Sequence, residues 1–177
     1  MDIISALCKN VYLKKLKYGK RLLEEIFELS KSSYEDISES AIECLRKLTF
    51  AADNEKVFIQ LDDKFLVEMT NLMLHGKSEI RESVLEILYC MSDEYGFNSR
   101  FAKIPHSIHR LIGLLSSNSK DNRIQKYAAC ILANLATLPA VEKMVLSYEI
   151  EIFLSACLDD NLTKTLMSII SLWVCNL

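Results

Sequence analysis

Ile124-Gln-Lys-Tyr-Ala-Ala-Cys-Ile-Leu-Ala-Asn-Leu135 decides how this chain folds, because two further stretches lie under it position by position. They are Ile37-Ser-Glu-Ser-Ala-Ile-Glu-Cys-Leu-Arg-Lys-Leu48 and Ile80-Arg-Glu-Ser-Val-Leu-Glu-Ile-Leu-Tyr-Cys-Met91, and a weaker fourth copy runs from Leu162 to Trp173. Apolar residues coincide at four places: Ile37, Ile80, Ile124, Leu162; Ala41, Val84, Ala128, Leu166; Leu45, Leu88, Leu132, Ile170; and Leu48, Met91, Leu135, Trp173. Within each copy the steps are 4, 4 and 3 residues, which places all four on one face of an α-helix. The starting residues 37, 80, 124 and 162 differ by 43, 44 and 38, so the period is near 40, the spacing of helical solenoids with two or three helices per repeat.

Working outward, a second apolar helix pattern precedes each copy. Its anchors are Leu23, Ile26 and Leu29; Leu66, Met69 and Leu72; Ile108, Leu111 and Leu114; and Ile150 or Glu151 with Leu154 and Cys157. Between repeats stand short mixed segments, Asn54 to Gln60, Phe97 to Ala102 and Pro139 to Leu146, each long enough for one or two helical turns. Pro105 and Pro139 fall where helices begin, a position at which a missing N–H costs nothing. Ser33, three residues before Asp36, is expected to cap the helix that follows, and Gly76 and Gly96 suit helix ends.

Composition agrees. Among 177 residues there are only four Gly and two Pro, and half of the residues are hydrophobic. Strand-rich folds need many tight turns, and those two residue types supply most of them. The chain is therefore expected to be all-α with a substantial core.

The stretch Lys103-Ile-Pro-His-Ser-Ile-His-Arg-Leu-Ile-Gly-Leu-Leu-Ser-Ser117 followed by Gln125-Lys-Tyr-Ala-Ala-Cys-Ile-Leu-Ala-Asn-Leu-Ala136 resembles one complete armadillo repeat. In that family a Pro enters the second helix, which ends in Leu-Leu-Ser, and an Ala-rich third helix closes in Leu-x-Asn-Leu-Ala. The match is good over about 45 residues and partial over the other repeats; HEAT-type hairpins are the nearest competing description. The resemblance implies a right-handed superhelical solenoid over residues 1–177, with repeats near 17–60, 61–102, 103–146 and 147–177 and a partial preceding repeat over 1–16. It implies that third helices line a groove that holds an extended peptide or a helix of a partner protein.

Carrying the family's groove positions onto this sequence gives Glu43 and Lys47, Glu86 and Cys90, Cys130 and Asn134, and Ser168 and Leu172. Nuclear-import adaptors of this family carry a ladder of Trp and Asn there, and only Asn134 keeps the type. Without Trp faces the slots for lysine stems are missing, so that ligand class is not expected. The expected groove lining is Glu43, Arg46, Lys47, Glu86, Tyr89, Cys90, Cys130, Asn134 and Ser168, with Tyr89 as an aromatic anchor; the alternative is a solvated helix face.

Charge narrows the function further. With 21 basic and 24 acidic residues the net charge is −3, against a dedicated nucleic-acid binder. A local basic run, Lys9, Lys14, Lys15, Lys17, Lys20 and Arg21, with no acid following until Glu24, supports a helical-repeat nucleic-acid binder as the alternative function; more often such a run is an exposed helix face. His106 and His109 are spaced i, i+3 but lack the Glu and third ligand of a zinc-hydrolase helix. Glu24-Glu25 and Asp159-Asp160 stand without a partner base or nucleophile, and there is no glycine-rich phosphate loop. No enzyme, cofactor or metal is expected.

The six cysteines, Cys8, Cys44, Cys90, Cys130, Cys157 and Cys175, form no C-x-x-C pair and sit in apolar segments, where a free thiol acts as a small hydrophobe. Reduced thiols imply a cytosolic or nuclear setting. The N-terminus shows no secretory pattern, and the apolar stretch Leu166 to Leu177 is shorter than the roughly 20 residues of a membrane helix. The terminal repeats lack polar caps, so a neighbouring subunit or further repeats are expected to cover them, as in a multi-protein complex.

Overall fold

The computed structural model describes residues 20–50, 52–116 and 122–147, and these form two compact units, Met1–Met91 and Ser92–Leu177. Unit 1 holds α1 (Lys20–Ser30), α2 (Glu35–Thr49), α3 (Ala52–Phe58), α4 (Asp63–His75) and α5 (Ser78–Met91). Unit 2 holds α6 (Tyr95–Phe101), α7 (Ser107–Ser116), α8 (Asn122–Leu135) and α9 (Pro139–Ser147). Among the described residues there is no strand. The order is a short first helix (α3, α6, α9), a second helix (α1, α4, α7) and a third helix (α2, α5, α8), the three-helix repeat that the periodicity implies. The fourth copy from Leu162, the segment 1–16 and Cys8, Cys157, Cys175 and Trp173 lie outside the described residues.

In each third helix the last three repeated apolar positions form the core, while of the first set Ile124 is buried and Ile37 and Ile80 are half-buried. Ala41, Leu45, Val84, Leu88, Ala128 and Leu135 are fully buried, and Leu48, Met91, Ile124 and Leu132 nearly so. α2 packs on α1 and on α5, α5 packs on α4, and in unit 2 α8 packs on α7. Burying one Leu side chain in such a core stabilises by about 1.5–3 kcal/mol. Aromatic residues fill the space that short helices leave: Phe58 and Phe27 both meet Phe65, at centroid distances of 6.1 and 5.1 Å, and Phe97 stacks on Phe101 at 5.3 Å.

Four local expectations differ. Leu29 is 40 % exposed, because Phe27 and Ser30 share the inward stripe of α1 with Leu23 and Ile26. The N-cap of α2 is Tyr34, with no side-chain cap bond, whereas α4 is capped by Asp62, whose carboxylate accepts the Phe65 N–H at 3.2 Å. Gly96 lies inside the first turn of α6, and it is Gly76 that ends a helix, its N–H donating to the Leu72 carbonyl. Pro139 opens α9, while Pro105 stands two residues before α7.

Two asparagines join the short helices to what precedes them. Asn54 and Asn98 are 1 % and 4 % exposed, and each donates through Nδ2 to a carbonyl six residues back, Leu48 at 3.1 Å and Ser92 at 2.9 Å. An amide placed this way supplies a buried side-chain donor to a backbone carbonyl near a helix end.

Candidate functional site

In unit 1 the third helices α2 and α5 bring Glu43, Arg46, Lys47 and Glu86 into one charged cluster. Arg46 grips Glu43 with two parallel bonds, Nε to Oε2 at 2.6 Å and Nη2 to Oε1 at 2.8 Å, one turn apart on the same helix. Its remaining Nη1 donates to Glu86 Oε2 on α5 at 2.8 Å. Lys47 Nζ lies 3.0 Å from Glu43 Oε1. Planar, five-donor geometry lets one guanidinium serve two carboxylates.

The electrostatics follow from this arrangement. The Arg46 hydrogen bonds hold the Glu43 carboxyl below its ordinary value, against burial, which raises it; Lys47 adds to the lowering. The Glu43 and Glu86 bonds raise Arg46 further above its ordinary range. Two carboxylates and two cations make the cluster neutral. Tyr89 and Cys90 continue the same helix as half-buried side chains, and Arg46 also lies 5.7 Å from the Phe50 ring at the end of α2, itself 55 % exposed.

In unit 2, α8 carries Cys130 and Asn134, both half-buried. Asn134 is held by its own unit: Nδ2 donates to Ser92 Oγ at 2.8 Å and to Asp93 Oδ1 at 2.9 Å. Its carbonyl accepts from Asn98 Nδ2 at 3.3 Å and from Thr137 Oγ1 at 2.8 Å. The one groove position that keeps the family's residue type is thus built into the turn after the third helix. Sequence reading missed Ser92, Asp93 and Asn98 there; the common six-residue reach of Asn54 and Asn98 was the available signal.

The remaining expected residues divide. Ser168 and four members of the basic run, Lys9, Lys14, Lys15 and Lys17, lie outside the described residues. Lys20 and Arg21 open α1 and face Glu24 at 3.5 Å and Glu25 at 3.0 Å one turn on, so their charge is locally balanced. His106 and His109 approach with ring centroids 6.2 Å apart, and no group of three metal-ligating side chains occurs among the described residues. Cys44 is buried, and Cys90 and Cys130 are half-buried. No described helix is long and apolar enough to cross a membrane.

No family model matches the sequence, and no curated protein matches it significantly. Solved structures do resemble it. The crystal structure of an engineered protein from the Northeast Structural Genomics Consortium aligns with TM-score 0.69 and 21% identity over 84% of this chain. The chain spans 62% of that protein. A designed armadillo repeat protein, solved in complex with the peptide (KR)4, aligns with TM-score 0.65 and 11% identity over 95% of this chain and 79% of its own. With the three-helix order above, these likenesses establish an all-α fold of armadillo-like helical repeats.

Proposed function

We propose that this chain is a non-enzymatic protein-interaction scaffold or adaptor, a subunit of a larger multi-protein complex of the nucleus or cytoplasm. It binds an extended peptide or a helix of its partner along the third-helix face. The observation that carries this reading is the construction of that face in unit 1: over a mainly apolar core, Glu43, Arg46, Lys47, Glu86, Tyr89 and Cys90 stand half-buried on α2 and α5. Such a row offers hydrogen bonding, charge and one aromatic surface without assembling a nucleophile, a base or a metal ligand set. The designed armadillo relative, solved with a peptide, supports the same use of the fold. Because Arg46 and Lys47 together balance Glu43 and Glu86, the unit 1 face suits a partner of mixed polarity better than a run of like charges.

The test is a crosslinking pull-down from native extract. A variant carrying Lys47→Ala, Tyr89→Ala and Cys90→Ala is compared with an outer-face control carrying Lys64→Ala and Val67→Ala, both exposed on α4. Loss of a defined set of partners with the first variant alone, circular dichroism unchanged, is the expected result. Identical partners for wild type and both variants would remove the third-helix face from consideration.

A further inference from the structure

Among the described residues His106 is the one residue other than glycine with a positive φ, at 63°. That left-handed conformation is uncommon for a residue with a Cβ and persists only where the surrounding structure enforces it. Here the enforcement is visible on both sides. Ser107, 1 % exposed, donates its N–H to the Ile104 carbonyl at 3.1 Å and its hydroxyl to the Phe101 carbonyl at 2.8 Å. The His106 carbonyl accepts the Arg110 N–H at 2.9 Å, which ties it to the first turn of α7. The backbone is thus pinned, while the imidazole stands in solvent. His109 follows on α7 and is exposed as well; the two rings lie with centroids 6.2 Å apart, inclined at 67°.

Two neutral imidazoles held at one helix end can offer their ring nitrogens to a common ion. A tetrahedral zinc ion takes nitrogen at about 2.0–2.1 Å, which sets two such nitrogens roughly 3.3 Å apart. Both rings are exposed, so side-chain rotation reaches that spacing without moving the pinned backbone. The surroundings select the ion. Lys103 is exposed and Arg110 half-buried close by in sequence, and the α7 N-terminus adds positive potential. Hard cations that depend on carboxylate oxygens are disfavoured there, whereas borderline divalent ions bind neutral imidazole. We propose that His106 and His109 chelate a divalent transition-metal ion of the zinc, copper or nickel kind, with water in its remaining positions. Two ligands in a positive setting make a weak, exchangeable site, unlike the three-ligand site of a zinc hydrolase. The site lies on a second helix and is independent of the scaffold reading.

The test adds zinc chloride to the full, reduced chain and follows the carbon-bound ring protons of its three histidines by NMR. His75, exposed at the end of α4, is the internal reference for a single imidazole. His106 and His109 shift together along one saturable curve that EDTA reverses, at zinc concentrations that leave His75 unmoved. Magnesium chloride has no effect. His106→Asn removes the imidazole but keeps a side chain that tolerates the left-handed backbone; His109→Gln keeps a good helix former. Each variant weakens zinc binding at the remaining ring by about tenfold or more, at least what loss of an outer-shell partner costs a metal site. Three results overturn the proposal. Shifts at His106 and His109 no tighter than at His75 would show adventitious single-imidazole contact. Unchanged affinity in either variant would show that the rings do not share one ion. Zinc taken up at cysteine thiols, with the histidine signals unmoved, would place the metal elsewhere.

Discussion

Arg46 Nη1 lies 2.8 Å from Glu86 Oε2, forty residues further along the chain, and so fastens the third helix α2 to the third helix α5 through one guanidinium. The pair is well shielded, with side-chain exposures of 24% and 16%. Shielding removes much of the solvent screening that makes ordinary surface pairs worth little. Arg46→Ala removes the cation that Glu43 and Glu86 share, leaving Glu43 its weaker link to Lys47, and should cost about 1–3 kcal/mol in urea unfolding. In a double-mutant cycle with Glu86→Ala the coupling should be about 0.5–1.5 kcal/mol. Coupling indistinguishable from zero would mean that the helices are held by apolar packing alone.

The same cluster predicts an acid limb in the stability profile. Arg46 holds the folded Glu43 carboxyl below the ordinary carboxylate range expected of an unfolded chain. As pH falls, the unfolded state therefore takes up the proton first. The stability from this group is complete above that ordinary range and is lost as pH drops through the depressed folded value. Glu43→Gln should be less stable than wild type near neutrality, and the two should converge in acid. Urea melts from pH 6 to pH 3 check this; parallel curves would show that the Glu43 charge is not what Arg46 holds.

Asn98 carries a different kind of load. Its Nδ2 serves both the Ser92 and Asn134 carbonyls from a buried site. Asn98→Ala should destabilise by about 1–3 kcal/mol, the cost of leaving buried acceptors unmade. Asn98→Asp should be worse at neutral pH, since it places a carboxylate against two carbonyl oxygens. If thermal unfolding ranked Asp equal to the wild type, the amide would not be the donor that joins the corner.

How much of this the sequence made legible follows from the range of the forces involved. Helical periodicity is a local signal repeated many times, so the burial of Leu45, Leu88 and Leu132 and the short helices after Leu48, Met91 and Leu135 could be read directly. Side-chain chemistry between repeats is another matter. Glu43, Arg46 and Glu86 were all expected on the third-helix face, yet nothing in their spacing says that Arg46 would turn to neutralise Glu86. Asn134 was singled out by its residue type, while the Asp93 and Ser92 groups that hold it lie about forty residues earlier. Leu29 shows the local limit: it satisfies the apolar spacing of α1, but Phe27 fills the inward position better.

Gly76 and Gly113 give opposite predictions from the same substitution. Gly76 has φ −69 and ψ 162, accessible to any residue, so space and not backbone freedom requires glycine there. A Cβ would stand 2.7 Å from the Leu72 carbonyl oxygen and 3.0 Å from Ile80 Cγ2, in the tight passage from α4 to α5. The oxygen belongs to backbone that cannot step aside without breaking the helix end. Gly76→Ala should therefore destabilise by about 1–3 kcal/mol, the usual cost of overpacking. Gly113 sits inside α7 with nothing within 4 Å of the corresponding Cβ. There alanine meets no clash and lowers the entropy lost on folding, so Gly113→Ala should stabilise by about 0.5–1 kcal/mol. Denaturant melts of the two single variants decide the matter, because a shift of the same sign in both would contradict the contrast between a crowded helix end and an open helix face.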